Sequence, residues 1–240
     1  MDINCDFGES FGTYKLAHNE AILPYVTSIN VACGFHAGDP MVMQKTVQQA
    51  LKYQVKIGAH PGYPDLQGFG RRSMTLSPKE IYTLMIYQMG ALQGFVQAAG
   101  SKLHHVKPHG ALYNQSANDE VMAEAIIEAV LDFNPQLILY CLSGSKMANL
   151  AQAQGLTVYE EVFADRNYNA DGTLVSRQQH NAMIKDEEHM FKHVERLIKH
   201  SQVQTVTNEL LTVNAQTICI HGDGANALAF AKEIYQLQQR

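Results

Sequence analysis

A chain of 240 residues with 46% hydrophobic and 17% charged content can bury the core of one large α/β domain, and its formal charge of −5 offers no basic footprint for nucleic acid or an anionic membrane. No apolar run is long enough to span a bilayer, and the opening residues lack the charged start and apolar stretch of a secretory signal. The expectation is a cytoplasmic protein forming one domain over residues 1–240, with its four cysteines (Cys5, Cys33, Cys141, Cys219) as buried thiols and no disulfide framework or zinc knuckle.

The first predicted strand, residues 2–7, alternates strictly. Ile3, Cys5 and Phe7 share one face, and Asp2, Asn4 and Asp6 the other. The apolar face predicts contact with outer helices and sends a carboxylate-rich row inward; an edge strand with one wet face is the alternative. After a short helix near 19–25, strand 28–33 runs into Gly34-Phe35-His36-Ala37-Gly38-Asp39, where His36 could serve as base or metal ligand. Asp39-Pro40 reads as an N-cap and first helical residue, opening a helix to about Gln54. Strand 55–60 ends at His60-Pro61-Gly62, and the loop beyond carries Arg71 and Arg72, either solvated or holding a carboxylate or phosphate. Ser77-Pro78-Lys79-Glu80 is a capping box for a helix with Ile81, Leu84, Met85, Leu92 and Phe95 on one face, stopped by Gly100.

Strand 103–107 begins with His104 and His105, read as structural or exposed, and closes on Lys107-Pro108-His109-Gly110. Lys107 and His109 lie two apart and so share a face, and a lysine at an apolar strand end is costly unless paired. Helices at 119–132 and 145–154 alternate with strands 137–142 and 156–162. Glu160-Glu161 and Asp165-Arg166 end the sixth strand: the acids could divide acid and base roles, or Arg166 could neutralise a neighbour. Residues 163–186 form a polar excursion read as an active-site loop. Helix 187–200 carries His189, His193 and His200, predicted on its solvated face, and residues 203–213 read as a small hairpin. The last strand, 217–221, ends at His221-Gly222-Asp223, with Asp223 orienting His221 or capping a helix at 225–238.

Seven strand–helix units predict a parallel sheet. An open doubly wound sheet gathers polar chemistry at its switch point, whereas a barrel brings every strand end to one mouth. Six or more strand ends here carry Asp, Glu, His or Lys, which favours a closed barrel. No Gly-x-x-x-x-Gly-Lys-Ser/Thr, Gly-x-Gly-x-x-Gly or Gly-x-Ser-x-Gly run is present, so what remains is acid–base and electrostatic chemistry, with or without a metal.

Taken together, residues 2–9, Asn30–Asp39, Gly58–Pro61, His105–Asn114, Glu161–Arg166 and His221–Asp223 resemble the LamB/YcsF lactam-utilisation family over nearly the whole chain. The resemblance implies a seven-stranded (β/α) barrel of the glycoside hydrolase/deacetylase type. It also implies cleavage of 5-oxo-L-proline to L-glutamate coupled to hydrolysis of ATP with Mg2+, in a complex with 5-oxoprolinase subunits B and C. On this reading Asp6, His36, His60 and His109 supply acid–base or metal-ligand groups, with Asp6, His60 and His109 as candidates for a divalent metal. Lys107, Glu161 and Asp165 complete the expected catalytic set, and Asn4, Arg71, Arg166, His221 and Asp223 the substrate-binding one. Two other readings stand beside it: a metal-dependent amide hydrolase or deacetylase acting alone, and a non-catalytic lactam-binding subunit. The residues leave open whether this chain binds ATP itself and whether it forms a homo-oligomer.

Overall fold

A computed structural model describes residues 1–16, 20–184, 186–220 and 227–239. The strands are β1 (Asp2–Phe7), β2 (Ser28–Ala32), β3 (Lys56–His60), β4 (His105–Val106), β5 (Ile138–Leu142), β6 (Val158–Phe163), β7 (Gln202–Gln204), β8 (Leu210–Thr212) and β9 (Thr217–Ile220). All pairings among β1 to β6 and β9 are parallel, and β9 joins β6 to β1, so the sheet closes into a seven-stranded barrel. The expected barrel and the expected hairpin, β7 with β8, are both present.

Period-two alternation decides what faces where. Ile3, Cys5, Ile29, Val31, Ile57, Val106, Leu139, Val162 and Ile218 are fully buried in one apolar cluster that continues into the helices. The helices are α1 (Pro40–Lys52), α2 (Pro78–Ala98), α3 (Gly110–Ser116), α4 (Glu120–Phe133), α5 (Lys146–Ala153), α6 (Glu187–His200) and α7 (Ala227–Gln239). Asp39 caps α1 by accepting from Val42 N, and Ser77 with Glu80 forms the capping box of α2. Such caps fix where each crossover begins and so where each strand-end loop meets the mouth. The opposite faces of the strands carry Asn4, Asp6, Ser28, Asn30, His105, Lys107, Glu161 and Thr217, all buried, where aliphatic layers are usual.

Three differences from the sequence reading have physical causes. Helix α3 was not expected, because Gly110, Asn114 and Ser116 in a seven-residue segment look like a loop. Strand β4 is two residues long, since Pro108 has no N–H for the ladder, yet Lys107 N and His109 N still donate to Ala59 O and Pro61 O. His193 is buried on the inner face of α6 with Met190, Val194 and Leu197, against the expectation of solvent, and its Nε2 lies 3.0 Å from Phe163 O. No helix among the described residues is long and apolar enough to cross a membrane.

Candidate active site

Lys107 projects from the end of β4 into the barrel, where its Nζ lies 2.7 Å from Glu161 Oε1 and 3.3 Å from Asp6 Oδ1. It also reaches Asn4 Oδ1 (3.2 Å) and Cys219 Sγ (3.1 Å). Burial alone would lower an ammonium pKa, but the Asp6 and Glu161 carboxylates outweigh it and hold Lys107 well above the usual lysine range. The lysine is therefore a fixed, fully charged hydrogen-bond donor. Asn4 uses its whole amide on neighbours, donating to Glu161 and Thr217 and accepting from Asn30 and Lys107.

Above this floor stand three histidines, two of them with tautomers set by backbone carbonyls. His60 Nδ1 lies 2.7 Å from Lys107 O, and His109 Nε2 2.8 Å from Phe69 O. A carbonyl can only accept, so those nitrogens carry the hydrogens. In the neutral rings His60 Nε2 and His109 Nδ1 are then both lone pairs, and they face each other at 2.9 Å. Two acceptors so placed repel unless a proton or a cation lies between them. The third histidine, His36, stacks on His109 at 3.7 Å and 2°, and neither of its ring nitrogens makes a hydrogen bond. Its Nε2 lies 3.4 Å from Glu9 Oε1, which in turn lies 3.7 Å from His109 Nδ1. Burial pushes the pKa of His36 down, and burial with the neighbouring His36 and His60 pushes that of His109 well down.

The donor set fits a divalent cation. One ligand atom from each of Glu9, His36, His60 and His109 falls within 4.8 Å of the others, all four residues being buried. A carbonyl behind the far nitrogen of a ligating histidine is the usual outer-shell support. Asp6, expected as a ligand, is not one of these four but lies beside them: Oδ1 accepts from Asn30 and Lys107, and Oδ2 lies 3.4 Å from His60 Nε2. Glu9 was not anticipated, because Gly8 adopts φ +72° and breaks the alternation that revealed Asp6.

A second chain of contacts orients Asp6 from below. Asn30 Nδ2 donates to both Asp6 Oδ1 (2.8 Å) and Asn4 Oδ1 (2.7 Å), leaving its own Oδ1 to accept from His105 Nε2 at 2.7 Å. Burial first, with several positive neighbours, lowers His105 well below the usual histidine range, so it is neutral and His104 Nδ1 donates to its Nδ1. Gly58 makes the room: a Cβ there would stand 2.0 Å from His105 Nε2. The sequence left His105 as structural or exposed; it is structural and fully buried.

The remaining expected residues are placed unequally. Asp6, His60, Lys107, His109, Arg71 and Arg166 line one pocket at the barrel mouth, together with Glu9, Tyr113 and Arg177, none of which the sequence singles out. Glu161 lies beneath Lys107, and its Oε2 makes no hydrogen bond. Glu160, its neighbour, points out of the barrel to Ser143, Gly144 and Asn214, so the two acids cannot share a reaction. Asp165 is buried but does not line the pocket, and Arg72 pairs with Asp65 outside it. His221 and Asp223 lie outside the described residues. Burial and the Glu161 carboxylate hold Tyr113 protonated, with its pKa well above the usual phenol range.

Known proteins share this chain's sequence pattern and its barrel. The LamB/YcsF family model matches residues 1–240. A relative from Bacillus cereus (strain AH187), named as the A subunit of 5-oxoprolinase, is 54% identical over 98% of this chain and 94% of its own length. One of the same name from Bacillus mycoides (strain KBAB4) is 53% identical over 98% of this chain and 93% of its own. The crystal structure of a lactam utilization protein from Thermus thermophilus superimposes with a TM-score of 0.92 at 41% identity, covering 99% of this chain and 95% of that one.

Proposed function

The chain belongs to the LamB/YcsF family, and from that premise we propose that it is a cyclic-amide hydrolase, the A subunit of a 5-oxoprolinase that opens 5-oxo-L-proline to L-glutamate with ATP and partner subunits B and C in the cytoplasm. The observation that carries the reading is the convergence, in one pocket, of a buried ammonium with histidine lone pairs that face each other. The names of the Bacillus relatives supply the substrate.

A five-membered lactam is an unactivated amide, so water attacks it only slowly. Transfer of the γ-phosphoryl group of ATP to the lactam oxygen, with ADP leaving, makes the ring carbon electrophilic. Water then adds to that carbon and gives one proton to the His60–His109 pair. Lys107 stays charged and stabilises the negative oxygens around that carbon as the tetrahedral centre forms. The ring nitrogen keeps its own hydrogen throughout; the histidine pair passes the proton it took from water to that nitrogen, and the C–N bond breaks. The freed amine takes the hydroxyl proton as the carbonyl reforms, and the acyl phosphate left behind is hydrolysed to glutamate and phosphate. Asp6 and Glu161 keep Lys107 charged and aimed; Asn4 and Asn30 are positioning residues for them. Arg166 holds the substrate carboxylate, and Arg71 steadies a phosphoryl oxygen.

The four-residue donor set favours a second reading, a metal-dependent amide hydrolase. A divalent cation held by Glu9, His36, His60 and His109 would polarise the lactam carbonyl as a Lewis acid. One assay separates the readings: glutamate release from 5-oxoproline by the chain with subunits B and C, with and without ATP, and with and without a chelator. ATP-dependent release that His109→Ala abolishes supports the first. Chelator-sensitive release that proceeds without ATP, from this chain alone, supports the second and overturns the first.

A further inference from the structure

The pocket lined by Lys107 and His109 has room for about 40 Å³, whereas the chamber opening from its rim holds about 460 Å³. Arg71, Arg166 and Arg177 line both. Among the described residues lining the chamber none is acidic, and its further polar wall includes Ser73, Asn114 and Ser176. Arg166 is only 3% exposed, and its guanidinium donates to the carbonyls of Val175 (2.6 Å) and Ala182 (3.3 Å). Those bonds point the guanidinium rigidly and neutralise nothing. Burial first, then Arg177, lowers its pKa to about 10, with Asp165 opposing and Arg71 adding to the effect. Guanidiniums facing one hollow offer a bound anion forked, charge-assisted hydrogen bonds.

We propose that this chamber is an oxyanion subsite that receives a phosphoryl group on the ligand whose reacting carbon sits in the pocket below. A carboxylate offers two oxygens and a single charge, whereas a phosphoryl group brings three acceptor oxygens and a charge of about −1.5 to −2. The lining, with three arginines and hydroxyl and amide donors, matches the larger anion. The chamber is also the roomier of the two. Arg177 thereby becomes a binding residue beside Arg71 and Arg166, carried on the long loop after β6. The proposal rests on the lactam-opening reading for the identity of the reacting end, and on the chamber alone for the anion.

The test is calorimetric titration of the purified chain, in chelator so that no cation in the pocket contributes, with inorganic phosphate, acetate and 5-oxoproline in separate arms. Saturable phosphate binding is expected, weakened at least tenfold in Arg177→Met and in Arg71→Met and largely kept in Arg177→Lys. Acetate should not compete, and 5-oxoproline affinity should change less than threefold in the same variants. Absence of saturable phosphate binding overturns the subsite, as does binding indifferent to both arginines. An equal loss of phosphate and 5-oxoproline binding assigns the chamber to the carboxylate and also overturns it. If a methionine variant melts early, Arg177→Lys against Arg177→Gln gives the same comparison at constant fold. Turnover is not read here, so a failed lactam assignment shows separately, as no glutamate release by the complete complex.

Discussion

The barrel interior has two layers built by the same strand alternation, and they differ in how completely their polar atoms are satisfied. At the lower end Asp2 accepts from four hydroxyls, those of Thr27, Ser28, Tyr140 and Thr217, and His105 stacks on Tyr140 at 4.1 Å while bonding to Asn30. At the mouth His36 keeps two unbonded ring nitrogens, Glu161 an unbonded oxygen, and His60 and His109 confront each other with lone pairs. Buried polar groups are normally bonded, and each exception costs about 1–3 kcal/mol. The lower layer is thus architecture, and the mouth stores unsatisfied polarity that a substrate, proton or cation can relieve. The period-two pattern alone does not tell the two apart; only partner counts do.

The largest effect should come from severing the mouth from its counterions. Lys107→Met should lower kcat for 5-oxoproline opening by about a thousandfold. It also leaves Asp6 and Glu161 as buried carboxylates without their cation, at a cost of about 3–5 kcal/mol seen as a fall in Tm. Adding Glu161→Gln should restore most of the Tm and none of the turnover. Recovery of turnover in the double variant would make Lys107 part of the architecture and erase the contrast between the layers.

Second in size is the donor set. Glu9→Gln or His60→Ala should reduce zinc affinity, measured by competition with a chromophoric chelator, by about 10–100-fold. Wild-type affinity in both would return these histidines to pure acid–base duty. Next comes the lower layer: Gly58→Ala forces a Cβ to 2.0 Å from His105 Nε2 and should destabilise the fold by about 1–3 kcal/mol in urea. His105→Ala in the same chain should recover most of that stability while kcat falls, because Asn30 then loses its anchor beneath Asp6. A Gly58→Ala chain as stable as wild type would show that His105 is not tightly held.

Most of the barrel was legible in the sequence because strand alternation, helix caps and polar strand ends each depend on local residue order. Asp6, His36, His60, Lys107 and His109 could be found that way, since each ends or follows a strand. Glu9 could not, because a left-handed Gly8 lies between it and the readable strand. Arg177 sits in a loop whose path is set by contacts such as Asn167 N to Ala182 O, and Tyr113 on a helix too short to show periodicity. Nor does spacing reveal whether a polar atom is satisfied. His193 is different: with Met190, Val194 and Leu197 it completes an i, i+3, i+4, i+7 face, so its burial was readable and was missed by treating a histidine as polar.

That misread histidine gives the smallest prediction and a control for the mouth. His193 is buried, donates to Phe163 O, and has a pKa pushed by burial from 6.5 to about 4. The unfolded chain binds a proton there at a pH where the folded chain refuses it. Stability should therefore be unaffected by this group above pH 6.5 and fall as the pH drops from there towards 4, by at most roughly 1.4 kcal/mol per pH unit. His193→Gln keeps a donor for Phe163 O and has nothing to titrate, so its Tm should match wild type near neutral pH and decline less steeply on acidification. His105, neutral for the same reason, contributes a loss of the same sign that both chains share. Parallel melting curves for the two chains across that range would mean that His193 accepts its proton without leaving Phe163. The distinction between satisfied and unsatisfied histidines would then have to rest on the mouth residues alone.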